Sequence, residues 1–81
     1  MNNLDSIRTA VIDNATLCEF SYDGKQGNID PSYLPGEPNS FLLWYAGKEQ
    51  IVHSFDELLE TPFFNGKSLQ EIAGQLTAID W

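Results

Sequence analysis

The strongest hydrophobic pattern in the chain is five apolar or aromatic residues in succession, Phe41-Leu42-Leu43-Trp44-Tyr45. A short run of this kind, bounded by turn residues, predicts a strand near 40–46 that is buried on most of its surface. Ala46-Gly47-Lys48 supplies a short glycine-containing connection, and Glu49-Gln50-Ile51-Val52-His53 reads as the returning strand, with β-branched residues at its centre. The rhythm then changes. Ser54-Phe55-Asp56-Glu57 has the spacing of a capping box, in which the serine hydroxyl accepts from the Glu57 amide and the Glu57 carboxylate reaches back; a short helix over 55–60 follows.

Upstream, Leu4, Ile7, Val11 and Ile12 fall at i, i+3, i+7 and i+8 and predict a helix over 3–13, with Asn14 as its stop. Residues 16–22 alternate: Cys18, Phe20 and Tyr22 point one way, and Leu17, Glu19 and Ser21 the other, as in a half-buried strand. Asp23-Gly24 is a turn signal, with room for a short extra strand near 25–29. Residues 30–39 hold three of the four prolines, Pro31, Pro35 and Pro38, so regular structure is not expected there. Tyr33 and Leu34 should pin this loop to the body. Downstream, Thr61-Pro62 breaks the chain, Phe63-Phe64 should enter the core, and Asn65-Gly66 makes a turn. Ser68-Leu69-Gln70-Glu71 is a second capping box, opening a helix over 68–76 on Leu69, Ile72, Ala73 and Leu76. Residues 77–81 read as a tail whose Trp81 folds back or meets a partner.

These elements predict an α+β fold in a single domain, 1–81: a small antiparallel sheet of three to four strands with two or three short helices packed on one face. A chain of 81 residues buries roughly 60–65% of its unfolded surface, and a 42% hydrophobic content suffices for one core. The single cysteine, Cys18, excludes an intramolecular disulfide and suits a reducing compartment. The first residues lack a basic region followed by an apolar one, and no stretch approaches the roughly 20 apolar residues of a membrane span, so a soluble cytoplasmic protein with no membrane contact is expected.

Charge changes the picture most. Twelve acidic against four basic residues give a net charge of −8. Such a field repels nucleic acid and favours basic protein surfaces. Arg8, Lys25, Lys48 and Lys67 are scattered along the chain and form no basic patch in sequence. One cysteine and one histidine cannot make a zinc set, the Asp23–Asp30 segment lacks a calcium-loop pattern, and Gly24 and Gly27 lack the lysine–serine pair of a phosphate loop, so neither metal nor cofactor is expected. Cys18 with His53 lacks an orienting third group, and Glu57 is committed to its cap while Asp56 and Glu60 form a solvated face; no catalytic residue, and hence no enzyme, is expected.

Protein binding remains. The candidate surface joins Asp23, Asp30, Tyr33 and Glu37, on the proline-stiffened segment, with Asp56 and Glu60 on the short helix. Acids around an aromatic would speed encounter with a basic partner, and the aromatic would supply affinity. The succession Tyr22-Asp23-Gly24, Ile29-Asp30-Pro31, Gly36-Glu37-Pro38-Asn39 and Phe41-Leu42-Leu43-Trp44-Tyr45, in a small acidic domain, resembles the immunity proteins of bacterial toxin–immunity pairs such as those of contact-dependent growth inhibition. That resemblance implies a cytoplasmic inhibitor that binds a cognate toxin, commonly a basic nuclease, over or beside its active site. Immunity proteins share a role and not one fold, so no residue role is carried over. Two alternatives stand beside it: a nucleic-acid mimic that inhibits a DNA-binding or RNA-guided effector, and a structural or regulatory subunit that joins a larger assembly through the C-terminal helix or Trp81.

Overall fold

Two tight turns set the register of the sheet. Asp23-Gly24 and Ala46-Gly47 both adopt left-handed backbone at each position, with φ of 51° and 75° in the first and 51° and 85° in the second. This handedness matches the twist of antiparallel strands and makes two-residue hairpins. The computed structural model describes residues 3–31 and 33–81; Ser32, inside the loop expected to be irregular, lies outside the described residues. The first turn joins β1 (Cys18–Tyr22) to β2 (Lys25–Pro31), and the second joins β3 (Phe41–Tyr45) to β4 (Lys48–Val52). The turn-flanking pairs are Tyr22 with Lys25 and Tyr45 with Lys48. β2 and β3 also pair antiparallel, from Gly27–Tyr45 to Pro31–Phe41. Pro31 is tolerated because it ends its strand, where a missing amide costs least.

The expected sheet of three to four strands is corrected here. Among the described residues the sheet has five antiparallel strands in the order β4-β3-β2-β1-β5, and the fifth is β5 (Thr77–Asp80), the segment read from sequence as a tail. Its side chains are mostly exposed and do not alternate in burial, so it carries no hydrophobic signature. Backbone pairing to the free edge of β1 makes it a strand: Ser21 faces Thr77 and Glu19 faces Asp80, with a register shift between them. Ala78, at φ 53°, turns the chain through that irregularity. The segment near 25–29 is likewise a full strand at the centre of the sheet. The α+β class holds.

The helices are α1 (Asn3–Arg8), continued by a π-helical stretch Thr9–Asp13; α2 (Phe55–Glu60); and α3 (Leu69–Ile72), continued by a 3-10 turn Ala73–Gln75. Ser68 and Glu71 form the full capping box: Glu71 Oε1 accepts from the Ser68 amide at 3.0 Å, and Ser68 Oγ accepts from the Glu71 amide at 3.4 Å. At α2 the serine half is present, but the Glu57 carboxylate accepts from the His53 amide at 2.6 Å, one residue earlier than a capping box requires. Asn3 Nδ2 donates to the Ala73 carbonyl at 2.6 Å, tying α1 to the turn that leads into β5.

One face of the sheet meets these helices. Cys18, Phe20, Tyr22, Ile29, Phe41, Leu43, Tyr45 and Val52 from the strands join Ile7, Val11, Leu58, Phe64, Leu69 and Ile72 in one buried cluster. Phe64 sits at its centre, 5.7 Å from both Phe20 and Tyr45 between ring centroids. The Phe20 ring lies directly over Gly27, its cross-strand partner: a Cβ there would stand 2.6 Å from Phe20 Cε2. The run Phe41–Tyr45 alternates strictly between buried and half-buried, so the strand is buried on most of its surface, as its apolar run predicts, with the less buried residues all on one side. Leu42 and Trp44 have the opposite parity to the core residues Phe41, Leu43 and Tyr45, so they point to the far face, where they are half-buried.

Gly27→Ala should lower stability by about 1–3 kcal/mol through overpacking against Phe20. The urea midpoint checks it, and adding Phe20→Leu should recover part of the loss. The Ser68 amide and hydroxyl, and then Lys67, hold the Glu71 carboxyl below its ordinary value of 4.5. Its contribution to stability is therefore complete above pH 4.5 and is lost as the pH falls through the lower native value. Glu71→Gln should flatten the acid limb of stability below pH 4.5 relative to the native chain, measured as urea midpoints across pH.

Candidate interaction surface

The pleat that fills the core also sorts the charges. Along each strand, alternate residues face the core and the open side. On the open side the cross-strand rows are Ile51–Leu42–Asp30 and Glu49–Trp44–Asn28–Glu19–Asp80, with Gln26, Ser21 and Thr77 beyond. Leu42 and Trp44 are half-buried and Ile51 is 38% exposed. The open face thus has an apolar patch toward its β4 edge, Trp44 with Leu42 and Ile51, flanked by Glu49 and Asp30, with Glu19 and Asp80 two and three strands further along the same row. None of the strand residues on this face is basic. Lys25 and Lys48 have the opposite parity, in register with core-side neighbours.

The loop between β2 and β3 closes on itself at one end of this face. Ser40, fully buried, accepts from the Leu34 amide at 2.8 Å through its hydroxyl and donates to the Glu37 carbonyl at 2.6 Å. Pro35-Gly36, with Gly36 at φ 79°, turns the chain so that the Glu37 amide reaches the Leu34 carbonyl at 3.0 Å. This holds the Glu37 side chain outward, 3.1 Å from His53 Nδ1 at the end of β4. Both side chains are more than half exposed, so the contact contributes little stability by itself. Tyr33 is 44% exposed.

The residues singled out from sequence divide into three places. Asp30, Tyr33 and Glu37 gather at the loop end of the sheet. Asp56 and Glu60 are exposed on α2, in the helix layer, across the sheet from Asp30. Asp23 lies in the β1–β2 turn, at the other end of β2, whose strand alone spans about 17 Å from Lys25 to Asp30 at the usual rise. There it stands near Tyr45, whose hydroxyl donates to the Tyr22 carbonyl at 2.8 Å. Burial, then the Asp23 charge, raises the Tyr45 pKa. Sequence reasoning missed Leu42, Trp44, Ile51 and Glu49 as a surface. Their signal is the odd–even parity of β3 and β4, which acquires meaning only once one face is known to be covered.

Cys18 and His53 are not brought together. Cys18 is fully buried in β1, while His53 is exposed beyond β4, three strand spacings or about 14 Å away across the sheet. Burial, with added repulsion from Asp80 and Glu19, pushes the thiol up to about 11. Among the described residues, no three His, Cys, Asp or Glu side chains converge as a metal site, and no helix is long and apolar enough to cross a membrane. Comparison with known proteins finds no matching family model and no significant match to a curated protein or a solved structure.

Because Trp44 spends only part of its surface on the fold, Trp44→Ala should cost about 1–2 kcal/mol, well below the 3–5 kcal/mol expected for Phe64→Ala at the centre of the core. Thermal unfolding of the two variants checks the order. Cys18 should resist a thiol reagent in the native protein at neutral pH and react at once in denaturant.

Proposed function

We propose that this protein is a cytoplasmic immunity-type inhibitor that binds and neutralises a basic protein toxin, a nuclease by the logic of charge. The observation that carries the reading is the open face of the sheet, where Trp44, Leu42 and Ile51 are flanked by Asp30 and Glu49, Glu19 and Asp80 continue the same face, and no strand residue on that face is a cation. A nuclease attracts polyanions and so presents a basic cleft. An acidic face would be steered to that cleft, and its desolvated apolar patch would hold the complex. Asp30, Tyr33 and Glu37 extend the same face at its loop end and belong to the same contact. Asp56 and Glu60 lie on the helix layer and would serve long-range attraction.

The test is capture of the partner from the native host at low salt, followed by calorimetry on the purified pair. The expected partner is a single basic protein bound one to one, whose toxicity on expression is relieved by co-expression of this chain. Trp44→Ala should weaken the complex by about 2 kcal/mol or more while remaining folded. Asp30→Lys with Glu37→Lys should slow association and reduce its salt dependence. An acidic partner, or full affinity in the Trp44→Ala variant, would overturn the reading. Capture of a nucleic-acid-guided effector in place of a toxin would do the same.

A further inference from the structure

The cations of this acidic chain are not scattered in space. Lys25 and Lys48 line one cleft at the turn end of the molecule, and Lys67 follows the Asn65-Gly66 turn that forms another of its walls. There the structure has a cleft of about 370 Å³ whose walls include Lys25, Lys48, Tyr45, Pro62, Phe63 and Asn65. Lys25 and Lys48 arrive by hairpin geometry, since each is the first residue after a two-residue turn, paired with Tyr22 and Tyr45 respectively. The third wall is a further left-handed turn, Asn65-Gly66, with φ of 58° and 81°. It is closed by paired hydrogen bonds between Phe64 and Lys67, at 2.9 and 3.1 Å.

This cleft is poised for an anion. Among the described residues, none of the three lysines lies within ion-pair distance of a carboxylate, and the Asn65 side-chain amide has no acceptor. Phe63 and Pro62 give it a flat, partly exposed apolar wall, while the Tyr45 hydroxyl is already committed to the Tyr22 carbonyl. Two ammonium groups beside an aromatic wall suit a small molecule with a charged oxygen group at one end and a flat apolar body at the other. Asp23, in the turn next to Lys25, is the opposing charge beside the two cleft lysines, while Lys67 acts on Glu71.

We infer that the cleft between the Ala46-Gly47 and Asn65-Gly66 turns is a binding site for a small aromatic anion, whose phosphate or carboxylate oxygens are held by Lys25, Lys48 and Asn65 and whose ring rests on Phe63 and Pro62. The site lies at the turn end, on the core side of the strand pleat, and does not depend on what the open face binds.

The test is a two-dimensional amide NMR titration of the full chain with phenyl phosphate, benzoate and inorganic phosphate, at ionic strength held constant with sodium chloride. Saturable shifts centred on Lys25, Lys48, Asn65 and Gly66 are expected, tighter for the aromatic anions than for inorganic phosphate. The strength of phenyl phosphate relative to benzoate distinguishes a phosphate site from a carboxylate site. Lys25→Ala with Lys48→Ala should abolish saturation while leaving the thermal midpoint near that of the native chain, because both side chains are exposed. Asp23→Asn should tighten binding by removing the competing charge, and asparagine tolerates the left-handed turn. Linear shifts spread over Arg8 and the lysines alike, shifts matched by sodium chloride alone, or undiminished binding in the double lysine variant would overturn the site. Equal affinity for inorganic phosphate would overturn the role of the aromatic wall.

Discussion

The contact on which the rest of the structure depends is the seating of the Phe20 ring on Gly27. The missing side chain at Gly27 leaves a space on the central strand that the ring occupies, and a Cβ there would meet it at 2.6 Å. With Phe20 seated over Gly27, Phe64 packs against both Phe20 and Tyr45 at 5.7 Å, and Phe63 packs on Phe64 at 5.2 Å. Phe64 reaches that position on an irregular segment between α2 and α3. One aromatic cluster therefore anchors the sheet and fastens the connection that carries the two C-terminal helices. In a chain of 81 residues with no disulfide, few other contacts join so many elements.

That cluster also decides the chemistry of both surfaces. Once Phe20, Leu43 and Tyr45 must face the helices, strand parity sends Glu19, Trp44 and Glu49 to the open side and leaves Lys25 and Lys48 on the core side, beyond the edge of the core. The same alternation thus separates acids from lysines, although they are neighbours in sequence at Lys48-Glu49. A net charge of −8 describes neither surface well. The strand residues of the open face include four acids and no base, while two lysines line the cleft at the turn end.

The loop between β2 and β3 shows how a proline-rich stretch can be ordered without regular structure. Ser40, buried at its base, uses its hydroxyl both as acceptor from Leu34 and as donor to the Glu37 carbonyl. A buried hydroxyl satisfied in both directions stabilises the loop where an unsatisfied one would cost about 1–3 kcal/mol. The consequence is that Glu37 and Tyr33 are presented from a fixed frame, next to His53.

Much of the fold was legible from residue order alone, because it rests on local rules. The helical spacing of Leu4, Ile7 and Val11, the alternation from Cys18 to Tyr22, the Asp23-Gly24 and Asn65-Gly66 turns, and the Ser68–Glu71 cap each act over a few residues, and each predicts its element. Four things were decided only by tertiary structure. β5 is a strand because β1 offers a free backbone edge, and Thr77–Asp80 has no side-chain pattern of its own to announce that. Trp44 faces outward because the helices cover only one side of β3, a fact absent from an unbroken apolar run. Asp23 and Asp30 are parted because a full strand runs between them. Lys25 and Lys48 come together at one cleft, beside the Asn65-Gly66 turn, because separate turns end at the same place. All four rest on contacts between segments far apart in the chain, where backbone pairing and burial, and not local preference, determine which neighbours meet.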